Sequence, residues 1–157
     1  MPIGDRLDTE TSGLTGPPAP RPCESCPYRT DVPSGIWAAE EYDKLRRYDR
    51  ATGEQPMNMF QCHQADAGSA QSRICAGWAG CHGEELFALR IAVFTGRIST
   101  ETYEAAARYS SPVELFDTGE AAARHGQSEI DRPGRAARTL IAKITRNRTD
   151  LEGVEWR

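Results

Sequence analysis

Cys75-Ala76-Gly77-Trp78-Ala79-Gly80-Cys81-His82 runs without a break into Gly83-Glu84-Glu85-Leu86-Phe87-Ala88-Leu89-Arg90-Ile91-Ala92-Val93-Phe94, and the reading of this stretch decides the fold. Leu86, Phe87, Leu89, Ile91, Val93 and Phe94 cover nearly the whole circumference of a helix, and a helix apolar on every side is normally buried. A helix over 83–94, stopped by Gly96, is the expected centre of the core. The cysteine segment before it is then attached to that core. Gly77 and Gly80 let its backbone fold tightly, and Trp78 either roofs a metal or fills the core.

Working outward, two other stretches carry the same chemistry: Cys23-Glu24-Ser25-Cys26-Pro27 and Phe60-Gln61-Cys62-His63. With the first, they hold all five cysteines and two of the three histidines. Two cysteines separated by two residues can curl around one metal ion or cluster, and thiols from distant segments can complete the shell. Cys23 and Cys26 supply one half of such a site. The other half is drawn from Cys62, Cys75 and Cys81 with His63 and His82, more candidates than a tetrahedral zinc needs. The irregular cysteine spacing is not that of a standard zinc finger, and proline directly after a ligand cysteine is familiar from iron–sulfur ligation, so zinc ion and iron–sulfur cluster are both carried forward. Cys81, read as the start of the buried helix, would have its thiolate favoured by free amides there; the alternative is a small buried residue. His63 is expected in an outer shell or a structural hydrogen bond, and His125 at a helix end.

Composition sets bounds. The chain has 157 residues, 38% hydrophobic and 27% charged, which allows one modest core and excludes a fully disordered chain. An odd cysteine count fits poorly with a complete disulfide framework. The net charge of -4 gives no overall attraction to nucleic acid or anionic membrane, yet residues 132–148 carry a local +6 and leave -10 on the rest. No apolar run is long enough to span a bilayer, and a soluble, cytoplasmic protein is expected.

The remaining segments give a mainly α reading: a small irregular helical domain over 22–148, stapled by the cysteine-rich site, with a disordered tail over 1–21 and a C-terminal tail over 149–157. Ser34 is expected to cap a helix over 35–48 with Ala38, Tyr42 and Leu45 on its inner face. Asp49–Met59 reads as a connecting loop and 64–73 as a loop or weak turn. Glu101–Tyr109 reads as a helix. Ser111-Pro112-Val113-Glu114 has capping-box spacing and predicts a further helix, broken by Gly119. Glu120–Arg124 adds a turn ending near Gly126. A final helix over 134–146 carries an apolar stripe of Ala137, Leu140, Ile141 and Ile144 opposite its arginines. No stretch alternates as a strand.

Two catalytic readings rank below metal binding, and no catalytic residue is assigned. A thioredoxin-like pair wants a strand before Cys23 and a helix after Cys26, where proline-rich chain and Pro27 stand instead. A cysteine nucleophile drawn from Cys62 or Cys81 lacks a recognisable third partner. Arg135, Arg138, Lys143 and Arg146 are the candidate phosphate contacts of the basic helix. Its alternative is a solvated face, or one docked on the chain's own acidic remainder.

The motifs Cys23-x-x-Cys26-Pro27-Tyr28-Arg29, Pro33-Ser34-Gly35-x-Trp37, Glu41-Tyr42-x-Lys44-Leu45, Tyr48-Asp49, Gln55-Pro56, Phe60-x-Cys62-His63-Gln64 and Cys75-Ala76-Gly77-Trp78 resemble an uncharacterised cysteine-cluster family of actinobacteria and their phages. The resemblance covers roughly residues 22–125. It implies Cys23, Cys26, Cys62 and Cys75 as the core ligand set, with Cys81, His63 and His82 as further candidates. In outline the chain also resembles the small actinobacterial redox regulators that pair a four-cysteine cluster with a basic tail. It differs in cysteine spacing, and it has Gly77-Trp78-Ala79-Gly80 where those carry a Gly-Trp-Gly-Gly type turn. The expected function is a metal-binding protein with a structural, interaction or regulatory role and an unidentified protein partner. The alternatives are a DNA-associated iron–sulfur regulator and a thiol or redox enzyme.

Overall fold

The computed structural model describes residues 14–62 and 71–147. His63, most of the expected 64–73 loop and the 149–157 tail lie outside the described residues. Six α-helices are present among them: α1 Ala39–Arg46, α2 Ala76–His82, α3 Phe87–Phe94, α4 Thr100–Ala107, α5 Gly119–Gln127 and α6 Arg135–Asn147. The described residues contain isolated β-bridges and no strand, so the expected mainly α class stands. No helix among them is long and apolar enough to cross a membrane.

Helix α1 is shorter than the expected 35–48, and Ser34 does not cap it. The Ser34 hydroxyl donates instead to Glu129 Oε2 at 3.1 Å. The amides of Ile36 and Trp37 both donate to the Tyr42 hydroxyl at 3.2 Å, so a side chain one turn inside the helix holds the chain entering it. Tyr42 and Leu45 are buried, as their spacing requires.

Helix α5 lies antiparallel on α1. The Asp49 carboxylate, just past α1, accepts from the amides of Gly119 at 2.7 Å and Glu120 at 2.8 Å, and Gln127 at the far end donates to Ala39 O at 3.0 Å. Gly119 was expected to break a helix and instead begins one, after Thr118 as N-cap. A Cβ on Gly119 would stand 2.0 Å from Leu45 O, so glycine is needed there for close approach of the two helices.

The helix expected from Ser111 does not form. The Ser111 hydroxyl accepts from Val113 N at 3.1 Å and donates to Val113 O at 2.6 Å, closing a local turn. Leu115 then bridges Arg29, with Thr30 N donating to Glu114 O at 3.2 Å and Phe116 N to Tyr28 O at 2.9 Å. Backbone pairing with the cysteine loop outcompetes the capping signal, because the helix offered only local bonds.

The expected 83–94 helix is also corrected. Gly83, at φ 59, and a 3₁₀ turn over Gly83–Glu85 separate α2 from α3, which starts at Phe87 where Gln55 Oε1 accepts its amide at 3.0 Å. Leu86, Ala88, Leu89 and Ala92 are buried, but Arg90 is exposed and Phe94 is 89% exposed. Thus α3 is amphipathic, and it packs on α4. The cysteine segment itself is helical, as α2, and not a glycine turn.

The expected 1–21 tail is shortened at its inner end. Gly16 pairs in parallel with the 72–74 segment, its amide donating to Ser72 O at 2.8 Å and its carbonyl accepting from Ile74 N at 3.1 Å, while Thr15 N donates to Arg97 O at 3.2 Å. Residues 1–13 lie outside the described residues. The core gathers Tyr28, Ile36, Tyr42, Leu45, Ile74, Trp78, Leu86 and Leu89, all essentially removed from solvent.

Candidate metal centre

Three segments bring four cysteines together. The first is a turn in which Cys26 N donates to Cys23 O at 3.1 Å. The second and third face each other across the antiparallel Gln61–Ile74 bridge, where Cys62 N donates to Arg73 O at 2.8 Å and Cys75 N to Phe60 O at 2.9 Å. Residues opposite one another, and those two apart along a strand-like segment, share a face. Cys62 and Cys75 therefore stand on the same face of the bridge. Cys75 is also the N-cap of α2.

The thiols form a continuous run of contacts. Cys23 neighbours both Cys62 and Cys26, and Cys26 neighbours Cys75. Cys26 is 1% exposed and Cys75 6%, while Cys23 and Cys62 are half-buried. The bond that Cys23 makes to Cys26 raises its pKa, the bond from Cys62 opposes this, and burial adds to the rise. For Cys26 the neighbouring Cys23 thiol pulls downward, but the Cys75 thiol, burial and the Cys75 charge leave it well above the ordinary thiol value. Buried thiolates need a cation to be stable, and this group is built of thiols. Among the described residues no group of three or more His, Cys, Asp or Glu side chains is arranged to hold a metal ion as it stands. Cys62 and Cys75 stand on the face that the two bridged segments share.

Backbone carbonyls of the cysteine loop are held by side chains whose purpose the sequence did not reveal. Arg29, 8% exposed, donates to Pro22 O at 3.0 Å and Cys23 O at 3.4 Å while pairing with Asp31 at 2.7 Å. Trp37 Nε1 donates to Ser25 O at 3.0 Å. Arg29→Met is expected to cost about 2 kcal/mol, because it strands a buried carbonyl, and to weaken metal retention ~10-fold through the loop it orients. Urea unfolding and chelator competition check the two effects.

Gly77, on the first turn of α2, completes the cradle. A Cβ there would lie 2.2 Å from Cys26 Sγ and 2.9 Å from Tyr28 Cβ. The Tyr109 hydroxyl oxygen is shielded from solvent and has no hydrogen-bond partner. Burial first, then the nearby Cys26 and Cys75, raise its pKa. A shielded donor within electrostatic reach of two thiols suits a site in which metal-bound thiolates accept hydrogen bonds.

Cys81 and His82 sit elsewhere. Cys81 is in the last turn of α2, so the free amides expected to favour its thiolate are at the other end of that helix. Burial, with Asp49 and Asp117 nearby, pushes its pKa up to about 12. Its side of α2 faces a shallow hollow formed with Gly83, Glu84, Ala107 and Arg108. The charges of Cys75, Cys81 and Cys26 all reach the buried Tyr28 hydroxyl. That hydroxyl lies 3.4 Å from His82 Nε2. His125 donates from Nε2 to Val32 O at 2.7 Å and packs on Phe116, a structural role.

Burial lowers the His82 pKa, with Asp49 and Glu85 opposing. Between its unfolded value near 6.5 and the lower folded one, the unfolded chain binds the extra proton. The His82 contribution to stability is therefore intact above pH ~6.5 and is lost as pH falls below it. Urea midpoints at pH 7.5 and 5.5 are expected to fall further in the parent chain than in His82→Gln. The comparison cancels acid effects on the thiols common to both.

Of the four basic residues singled out on α6, Lys143 pairs with Glu24 in the cysteine loop, while Arg135, Arg138 and Arg146 are exposed. The stripe opposite them packs inward, with Ala137 and Ile144 buried. The dock on an acidic residue thus accounts for Lys143.

Fold and site together define a small, mainly helical domain in which three segments bring four cysteines near one another. The chain belongs to a family of unknown function, DUF6283, whose model matches residues 18–148. No curated protein and no solved structure matches it.

Proposed function

We propose that Cys23, Cys26, Cys62 and Cys75 bind one zinc ion and that the chain is a non-enzymatic metal-binding protein. Its centre joins the N-terminal loop to the 60–75 bridge and keeps a surface in shape for an interaction or regulatory role. The observation that carries this reading is the run of thiol contacts across three chain segments. A tetrahedral zinc with Zn–S near 2.3 Å has its sulfurs ~3.8 Å apart, the scale of neighbouring thiols in hydrogen-bond contact, whereas a cubane cluster spreads its ligands wider. The partnerless Tyr109 hydroxyl supports the same reading as a donor to bound thiolate. A reducing cytoplasm suits five cysteines of which none is in a disulfide. The test is elemental metal and acid-labile sulfide on protein purified without air. About one zinc per chain and no sulfide is expected, and iron with sulfide would replace zinc by a cluster.

A second reading, a nucleic-acid-associated regulator, draws on the exposed Arg135, Arg138 and Arg146 of α6. It predicts duplex DNA binding that weakens steeply with salt and disappears when all three are replaced by alanine. Absence of binding at low salt removes it.

A further inference from the structure

A cleft of about 400 Å³ opens between α1 and the 56–61 segment. Trp37, Tyr48, Met59 and Phe60 give it an apolar lining, and Lys44 and Arg47 bring positive charge to one wall. We propose that this cleft is a binding site for a small aromatic carboxylate, whose rings lie on the apolar lining and whose carboxylate meets Arg47. The inference stands on the cleft alone and is independent of what the cysteines hold.

The lining is fixed by its own bonds. Tyr48, in the 3₁₀ turn Arg47–Asp49 that continues α1, donates from its hydroxyl to Asn58 O at 2.7 Å and so ties the two walls together. Trp37 Nε1 donates to Ser25 O at 3.0 Å. Tyr48 and Phe60 pack edge to face, with ring centroids 6.3 Å apart and planes at 81°. Rings held in this way leave a recess that a ligand fills without reordering the protein, which lowers the entropy cost of binding. The volume lies within the range of roughly 300–1,000 Å³ common to small-molecule sites, and mainly apolar walls with a few polar groups are their usual make-up. Met57, 62% exposed between the lining residues Pro56 and Asn58, adds apolar surface beside the cleft.

Charge decides which aromatic ligand suits it. Glu41 is the carboxylate of the described lining, and Lys44 pairs with it at 2.8 Å. Arg47 is exposed, and no carboxylate among the described residues pairs with it. The neighbouring Arg46 gives the contrast, held by Asp43 at 2.7 Å and also by Glu120. An aromatic cation would meet like charge in the cleft, and a neutral ring would leave Arg47 unanswered. A carboxylate can accept two parallel bonds from the planar guanidinium, which fixes the ligand's orientation while its rings supply the buried apolar area.

The test titrates the full chain as purified, at pH 7.5, with 2-naphthoate and with its neutral counterpart 2-naphthamide by calorimetry, and locates the bound ligand by amide NMR shifts. 2-Naphthoate is expected to bind with a Kd of about 1 mM or tighter, the scale for a ligand of that size. It should bind about 10-fold more tightly than 2-naphthamide, with the shifts gathered in 37–48 and 56–61. Arg47→Gln is expected to weaken 2-naphthoate about 10-fold and to leave 2-naphthamide within about 2-fold. Arg90→Gln, at an exposed arginine of α3, should change neither. Both replacements are at the surface, and unchanged urea midpoints check that the fold is kept. Equal affinity for the two ligands, equal weakening in the two variants, shifts centred outside the cleft, or no binding of 2-naphthoate at several millimolar would overturn the proposal.

Discussion

A Cys26→Ser protein is expected to lose nearly all its bound metal and, with it, ~5 kcal/mol or more of stability, the scale set by structural zinc sites whose binding free energy is also folding free energy. Cys26 neighbours both Cys23 and Cys75, and it is 1% exposed. Serine nearly keeps the volume but offers a poor ligand. The loss should be regional. The cysteine loop meets the 114–116 segment through backbone bonds and α6 through Lys143–Glu24, so hydrogen exchange should accelerate in 22–37 and in α6. Helices α3 and α4, packed on each other, should be less affected. Cys81→Ser is the matched control, expected to keep its metal and to change stability by less than ~1 kcal/mol, since its thiol lies in the surface hollow beside Gly83 and Arg108. Equal metal loss in both variants would show that Cys81 is a ligand and the quartet is wrongly drawn.

The Gly77→Ala change sets two effects against each other. Alanine in a helix is better than glycine by ~1 kcal/mol, so local propensity alone predicts a more stable protein. The added Cβ would stand 2.2 Å from Cys26 Sγ and 2.9 Å from Tyr28 Cβ, and neither neighbour is the loose end of a flexible chain. Relieving such overlap in a packed core costs ~3 kcal/mol or more, so the packing effect wins by ~2 kcal/mol. Because the atom displaced is a sulfur of the proposed ligand set, metal should be lost faster to a chelator as well. Urea unfolding with a chelator-release rate measures both. A more stable variant that releases metal at the parent rate would mean that α2 does not press on the loop as described.

Local patterns were legible where local physics decided the outcome. Tyr42 and Leu45 mark the inner face of α1, and Ala137 and Ile144 that of α6, because apolar spacing translates directly into a buried stripe. Signals that compete with distant backbone were misleading. Ser111-Pro112-Val113-Glu114 has the letters of a helix start, yet its neighbours pair with Arg29 and Tyr28. Gly119 looks like a breaker, and its reason for being glycine is a carbonyl on another helix. The Leu86–Phe94 run looked buried all round, although Phe94 faces solvent, because periodicity cannot tell how many sides of a helix find neighbours.

The site divides the same way. Cysteine spacing and family resemblance named Cys23, Cys26, Cys62 and Cys75, which the fold brings into one run of contacts. The separation of Cys81 from Cys75 follows from α2 being a helix: six residues carry the chain over most of two turns, away from the loop. Arg29 and Trp37 act by holding carbonyls of Pro22, Cys23 and Ser25, and no side-chain pattern announces a backbone acceptor. Tyr109 reaches the thiols only through the packing of α2 against α4, so no spacing links it to them.

The most direct measurement is X-ray absorption at the zinc edge of the metal-loaded protein. The account predicts one shell of four sulfurs at about 2.3 Å and no nitrogen, unchanged in Cys81→Ser. A mixed shell containing histidine nitrogen near 2.0 Å, or a sulfur count that drops when Cys81 is replaced, would contradict it.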